Sequence, residues 1–368
     1  MSQAQIEIQV VAAIVAAACA LPGCFLVLRR MALVSDAISH TVLLGIVLAF
    51  MVVGDLHSPL LLVGAALMGV LTVVLIELLF KTGRVKEDAA IALVFPALFS
   101  IAIILISQNF RDIHLDTDVV LLGELAFAPF TRVELLGTSL PRGVAVMGAI
   151  LLINVILLMV FYKELKLATF DRALAASLGF APALLTYGLT ASVSVTAVGA
   201  FEYVGTVLVV ALMIAPAAAA YLLTNRLSWM LALSVLIAVA SALGGYWIAR
   251  ALNINLAGTM ATIAGLFFGA ALVFAPERGL VSRALGRQRR RKRFALEMLV
   301  VHLSRHEHTA REATENTASH LTDDLMWSPD VAEATVRRAS AQGLIQDQGG
   351  ALQLTPQGRV LAQQVEAR

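Results

Sequence analysis

The chain has 368 residues, 59% hydrophobic and only 14% charged, with a formal net charge of +2 and a mean hydropathy of +0.85. Soluble domains carry roughly 25% charged residues, so a wholly soluble globular protein is excluded. The small net charge averages an apolar body and a polar tail, and therefore says little about partners.

Taken in chain order, nine runs are long and apolar enough for a span of about 20 residues. They are 8–28, 33–53, 59–80, 90–108, 143–161, 181–199, 204–224, 228–249 and 256–275. The start, MSQAQIEIQV, has no basic n-region and leads into a run of full membrane thickness, so no cleaved leader is expected. Cys19 and Cys24 lie in that first run and read as small buried hydrophobes, not as a disulfide or metal pair. Residues 119–140 are semi-apolar but interrupted by Glu124, Pro129, Arg132 and Glu134, which suits a surface or re-entrant segment better than a span. From about residue 283 the sequence turns polar and charge-dense. The predicted fold is an all-α polytopic membrane protein with a small soluble tail. Its parts are a membrane domain over 1–282, a basic linker over 283–293 and a tail domain over 294–368.

Short-loop Lys and Arg set orientation. With the N-terminus outside, the inner connections hold Arg29, Arg30, Lys81, Arg84, Lys86, Lys163, Lys166, Arg172 and Arg226. The outer ones hold only Arg111, Arg132, Arg142 and Arg250. The asymmetry predicts an outside N-terminus, and nine spans then leave the tail in the cytoplasm.

The second run opens Ser-Asp-Ala-Ile-Ser-His over 35–40. Asp36 and His40 are four apart and share a helix face. Counting from Arg30 at 1.5 Å per residue, Asp36 lies roughly 9 Å and His40 roughly 15 Å into the apolar layer, near the middle of a core about 30 Å thick. Ionisable groups at that depth are costly and mark ion paths or functional sites; a polar clamp between helices is the plainer reading. A carboxylate with an imidazole suits manganese, iron or zinc better than calcium or magnesium. Glu202 falls between two apolar runs, either near an interface or dipping toward the same path. Pro216 with the alanines after it permits a kink, and Gly265 and Gly269 have the spacing of close helix contacts. Asp112, His114, Asp116 and Asp118 form an outer acidic loop that could attract cations, although such loops are commonplace.

Residues 162–180, YKELKLATFDRALAASLGF, are amphipathic and long for a connector. They suit a helix lying on the inner face, either interfacial or inserted into a groove of a soluble partner. No GxxxxGK(S/T) phosphate loop occurs in the chain, so any ATP hydrolysis belongs to another polypeptide, and no enzyme activity is expected of this one.

The segments RRMALVSDAISHTVLLGIVLAF, TFDRALAASLGF and VGTVLVVALMIAPAAAAYLL, in this order, resemble the membrane permease subunit of bacterial manganese/zinc/iron ABC importers over roughly residues 5–280. The resemblance implies a type II importer-like bundle in the cell inner membrane, paired as a homodimer or with a related permease. It also implies a cytoplasmic ABC ATPase docked on 162–180 and an extracytoplasmic metal-binding protein delivering the ion. By that likeness Asp36 and His40 line the path, with Glu202 a further candidate. Asp171, Arg172, Ala175 and Gly179 fall in the coupling segment. The transported divalent metal ion (Mn, Zn or Fe) is cargo, and no permanent cofactor is implied. An importer of larger substrates would share the bundle but would not require a carboxylate–imidazole pair at mid-depth.

The tail departs from such permeases. A basic run over 283–293, where anionic lipid of the inner leaflet could bind, leads into FALEMLVVHLSRH. A helix starting at Ser328 or Pro329 follows, then two strands about Gly349 and Gly350, and a last helix after LTPQG. This order resembles the winged helix-turn-helix of diphtheria-toxin-repressor-type regulators, without their dimerisation half. The resemblance makes Thr335, Arg337 and Arg338 candidate DNA contacts, and a membrane-tethered metal-responsive transcriptional regulator the alternative function. Winged helices also serve as protein-docking modules. His302 and His306 share a helix face, and with His308 and His320 they form a loose group compatible with metal sensing or with a plain polar segment.

Overall fold

The computed structural model describes residues 2–55, 58, 60–109, 123, 125–135, 138–307, 316–348 and 351–367. The chain forms two compact units, residues 1–279 and 280–368.

The first unit is a helical bundle. Its elements are α1 (Gln3–Leu28), α2 (Ala32–Val53), α3 (Leu60–Lys81) and α4 (Glu87–Asn109), then a short 3-10 turn (Leu125–Phe127) and a hairpin of β1 (Arg132–Leu135) and β2 (Thr138–Pro141). After it come α5 (Arg142–Val160), α6 (Tyr162–Phe170), α7 (Arg172–Ser177), α8 (Pro182–Leu223), α9 (Leu227–Leu252) and α10 (Leu256–Phe274). Eight of these helices are long and apolar enough to cross a membrane. They are apolar on nearly every face, as helices solvated by lipid or by one another must be. Within the segment read as surface or re-entrant, β1 and β2 pair as an antiparallel hairpin with Arg132 opposite Pro141. The acidic loop residues 112–118 and Glu124 lie outside the described residues.

The runs 181–199 and 204–224 fall on one element, α8, of 42 residues. At 1.5 Å per residue a straight helix of that length would be about 63 Å long, twice the apolar core. It is not straight, because Gly205 takes φ 71°, ψ 170°, a conformation open essentially to glycine alone. Contacts with α1 show that the chain reverses there. Thr186 receives a hydrogen bond from Arg29, beyond the C-terminal end of α1. Tyr203 lies against Gly143 at the start of α5, where Val11 of α1 also approaches. A continuing helix would then leave α1 behind, yet the Met213 backbone sits where a Cβ on Gly23 would be, and the Met230 carbonyl lies near Cys24 Sγ. The eight helices therefore supply nine crossing-length segments, and the break falls at Gly205, not at Pro216.

α1 is the most buried helix and packs against α5, α8 and α9. Its small residues, Ala12, Ala16, Ala18 and Ala20 among them, lie fully in the core with Val204, Leu208 and Met213. Polar clamps hold the helices at mid-depth. Asn154 donates to the Ala18 carbonyl (3.2 Å) and to Thr196 Oγ1 (2.9 Å), and accepts from Ser192 Oγ (2.7 Å). Thr72 donates to Thr41 across α2 and α3 at 2.8 Å. Gly265 and Gly269 face open space, so their spacing serves no contact within this chain.

In the second unit, α11 (Leu280–His306) is followed by α12 (Ala318–Asp324), α13 (Pro329–Ala341), β3 (Ile345–Gln348), β4 (Ala351–Leu354) and α14 (Pro356–Glu366). The basic run read as a linker lies inside the continuous helix α11. Ser328 is the N-cap of α13, with Pro329 at its first position, although the Ser328 side chain makes no capping bond. Thr355 caps α14 by accepting from the Gly358 amide, so LTPQG is a helix start. The strands pair antiparallel, and Leu299, Leu303, Leu321, Ala339, Ile345 and Leu352 form the core of this unit.

Candidate ion site and coupling surface

α2 begins with Ala32, which places Asp36 about one turn and His40 about two turns into the helix. Their neighbours Ser35, Ile38, Ser39 and Val42 are buried in the packing with α3, α4 and α8. Asp36 and His40 fall on the remaining face, with side chains 52% and 31% exposed. Asp36 Oδ1 and His40 Nε2 are 3.8 Å apart. Two donors each about 2.1 Å from one transition-metal ion lie at most about 4.2 Å apart, so the pair is close enough to share an ion. His40 is held by two rings of α4, with Phe95 at 5.2 Å and Phe99 edge-on at 5.7 Å between centroids. Among the described residues, no third His, Cys, Asp or Glu stands near enough to complete a three-ligand set there. Two ligands from one chain leave coordination positions for water or for a second subunit.

Glu202 is placed elsewhere. It lies toward the opposite end of the bundle, 3.8 Å from Arg142 Nη1 and next to Tyr203, which packs at the start of α5. This end also carries an ion pair between Glu7 and Arg132. The structure brings Asp36 and His40 together and keeps Glu202 apart from them.

The segment 162–180 is two helices, not one. Asp171 leaves helical geometry at φ −146°, ψ 95°, and its carboxylate accepts from the Leu174 amide to cap α7. Ala175 is fully buried, and Gly179 ends the segment at φ +85° with open space where a Cβ would stand. Phe170, Leu174, Leu178 and Phe180 are exposed, which leaves an apolar surface on an otherwise polar connector. The segment is tied to the bundle by Arg29, which donates to Thr169 at 3.1 Å and to Thr186 at 2.9 Å. Arg172 reaches the same Thr186 hydroxyl at 3.4 Å. Burial, aided by the charge of Arg172, pushes the Arg29 guanidinium down to about 10, still charged at neutral pH. Arg29, Glu77, Lys81 and Arg172 line a cleft of about 440 Å³. The Glu77 carboxylate on its wall accepts from Tyr187 at 2.8 Å, and Lys81 stands 3.1 Å from the same carboxylate.

In the second unit Thr335 does not face outward. It is 3% exposed and donates to the Val331 carbonyl one turn back, because it shares the inward face of α13 with Ala332 and Ala339. Arg337 is exposed and 3.9 Å from Glu333, and Arg338 is half-buried. Of the three candidate contacts this leaves Arg337 and Arg338, the first of them beside Glu333.

In the sequence Arg29 is legible only as an orientation signal, since nothing local announces Thr169 and Thr186 as its partners. Asn154 was legible as a lone amide inside an apolar run. The aromatic wall of Phe95 and Phe99 carries no sequence signal, because aromatic residues in spans usually only pack.

Nine apolar crossing segments among the described residues, one of them bearing an ionisable pair, with no nucleotide-binding loop in the sequence, define a polytopic membrane permease. The chain belongs to the ABC 3 transport family, whose sequence profile matches residues 2–275. It is 47% identical over 357 residues to the zinc transport system membrane protein TroD of Treponema pallidum, a match spanning 97% of each chain. It is 45% identical to the manganese transport system membrane protein MntD of Bacillus subtilis, over 74% of this chain and 92% of that one. Among solved structures, PsaBC from Streptococcus pneumoniae in complex with Fab resembles it with a TM-score of 0.63 at 27% identity, covering 75% of this chain and 94% of that chain.

Proposed function

We propose that this protein is the permease subunit of an ATP-driven importer of a divalent transition metal ion, and that Asp36 and His40 are its ligands along the path. The observation that carries this reading is the carboxylate–imidazole couple inside a span, with Asp36 half-exposed on its own protomer. A charged side chain facing hydrocarbon at mid-span costs about 3 kcal/mol or more. Two copies, or this chain and a related permease, offset that cost by turning the face of α2 that bears the pair toward a shared wet path. A site with few protein ligands also suits transport, which needs an ion held loosely enough to leave. The relatives named for zinc and manganese systems support a transition metal as cargo. Donor chemistry alone does not choose among manganese, zinc and iron.

In this reading a separate ATPase docks on the apolar surface of Phe170, Leu174, Leu178 and Phe180, and an extracytoplasmic metal-binding protein meets the opposite end. The basic residues around Arg29, Lys81 and Arg172 support a cytoplasmic docking surface and an outside N-terminus. The test is radiometal accumulation in cells lacking the native protein, with Mn²⁺, Zn²⁺ and Fe²⁺ as competitors. Uptake by the wild type that is lost in both D36A and H40A supports the assignment; uptake unchanged in both variants rejects it.

A further inference from the structure

The second unit holds a group of metal-ligating side chains that the transport path does not use. α11 presents His302 and His306 one turn apart, and α12 brings His320 and, at its last residue, Asp324 alongside them. His302 Nδ1 is 3.3 Å from Asp324 Oδ2. The rings of His302 and His306 are 4.6 Å apart, and that of His320 lies 5.9 Å and 6.4 Å from them. One ligand atom from each of His302, His306 and Asp324 lies within 4.8 Å of the other two. The three are graded in burial, with His302 in the core, His306 half-buried and Asp324 at the surface, so an ion arriving from solvent would meet the carboxylate first and the buried imidazole last.

A hydrogen bond between His302 and Asp324 would explain two of these residues. It does not explain why the ring of His306 lies 4.6 Å and that of His320 5.9 Å from the ring of His302. A shared cation accounts for the whole group, because imidazole nitrogens and a carboxylate oxygen are the donors that a first-row transition metal ion takes. Donors about 2.0–2.1 Å from a tetrahedral ion are about 3.3 Å apart, so small side-chain rotations close the observed spacing.

We propose that His302, His306 and Asp324 bind a divalent first-row transition metal ion, with His320 placed to supply a fourth donor. The imidazole-rich set favours Zn²⁺ over Mn²⁺ at equal free concentration. The site lies wholly within residues 280–368, apart from Asp36 and His40, and does not depend on the path assigned to them. Its bound ion would join α11 to α12. The residue pair just before α12 is already tied to the hairpin, through the Leu352 amide donating to the Asn316 carbonyl and the bridge between Thr317 and Ala351. Occupancy would therefore stiffen the junction of α11, α12 and β4, a means for this unit to register metal.

The experiment uses the full chain in lipid nanodiscs, titrated with Co²⁺ and followed by the visible absorption of a tetrahedral site, then displaced with Zn²⁺. The D36A/H40A double variant is expected to keep the band. The H306Q/D324N double variant, which leaves the buried His302 and the core of the unit in place, is expected to lose it and to bind Zn²⁺ at least about tenfold more weakly. A band absent from the wild type, retained in H306Q/D324N, or lost in D36A/H40A overturns the proposal. Metal uptake by the same variants reads the transport assignment separately.

Discussion

Asp36 and His40 stand one helical turn apart on α2, Oδ1 to Nε2 at 3.8 Å, on the face left open by a helix whose other neighbours, Ser35 and Ser39 included, are buried. The charged or polar head of each is thus offered outward while the aromatic pair Phe95 and Phe99 steadies the imidazole. Removing either ligand halves the donor set that one protomer supplies. Asp36→Asn and His40→Gln, both near-isosteric, should each lower metal accumulation by on the order of a hundredfold while the protein is still made and inserted. Radiometal uptake normalised to the amount of protein in the membrane checks this.

The reversal at Gly205 should be intolerant of any Cβ. A non-glycine residue held at φ 71°, ψ 170° costs about 1–3 kcal/mol, and Gly123 packs directly on this backbone, where its own missing Cβ would collide. Gly205→Ala is expected to lower the thermal midpoint of the detergent-solubilised protein. Ala at Gly244, where a Cβ would meet nothing, should leave it unchanged. Equal midpoints for the two variants would mean that the bend does not need glycine.

Much of this architecture was legible because apolar runs and basic gaps are direct consequences of the cost of charge and bare backbone in lipid. The α2 pair was legible for the same reason, a carboxylate four residues from an imidazole inside a span. The joining of two runs into α8 was not, because a glycine at the break looks like the many glycines that only permit close packing. Nor was the split of 162–180 at Asp171, where a helix-capping carboxylate sits within an otherwise continuous amphipathic pattern. The inward turn of Thr335 was not legible either, because only the packing of α13 decides it. Tertiary partners such as Thr169 and Thr186 for Arg29 leave no trace in local sequence.

Asn154 ties three elements together through its amide. Asn154→Leu removes the bonds to Ala18, Thr196 and Ser192 and should destabilise the bundle by about 1–2 kcal/mol, the range for hydrogen bonds between helices in membranes. Leu152→Ala on the same helix, 60% exposed, should do less. Unfolding midpoints in mixed micelles compare the two directly.

The apolar surface of Phe170 and Leu178 has no burial within this chain, at 65% and 60% exposed. Covering two such side chains is worth about 3 kcal/mol, so the F170S/L178S variant should bind its ATPase partner at least about tenfold more weakly. Co-purification of the two proteins measures this. Full recovery of the complex from the variant would remove these helices as the docking surface.

Arg29 connects that surface to the bundle, and its consequence can be separated from its charge. The guanidinium uses two different nitrogens to hold Thr169 of α6 and Thr186 of α8 at once, a fork that a lysine ammonium cannot reproduce with the same geometry. Arg29→Lys keeps the positive charge that orients the membrane protein but gives up at least one hydrogen bond to a charged group, worth about 1.5–3 kcal/mol. With that tie weakened, motion of the docked segment should pass less faithfully to α1 and α8. The expected result is normal assembly with the ATPase, but several-fold less metal moved per ATP hydrolysed in proteoliposomes. Unchanged stoichiometry of transport to hydrolysis in Arg29→Lys would show that the fork positions nothing of importance to coupling.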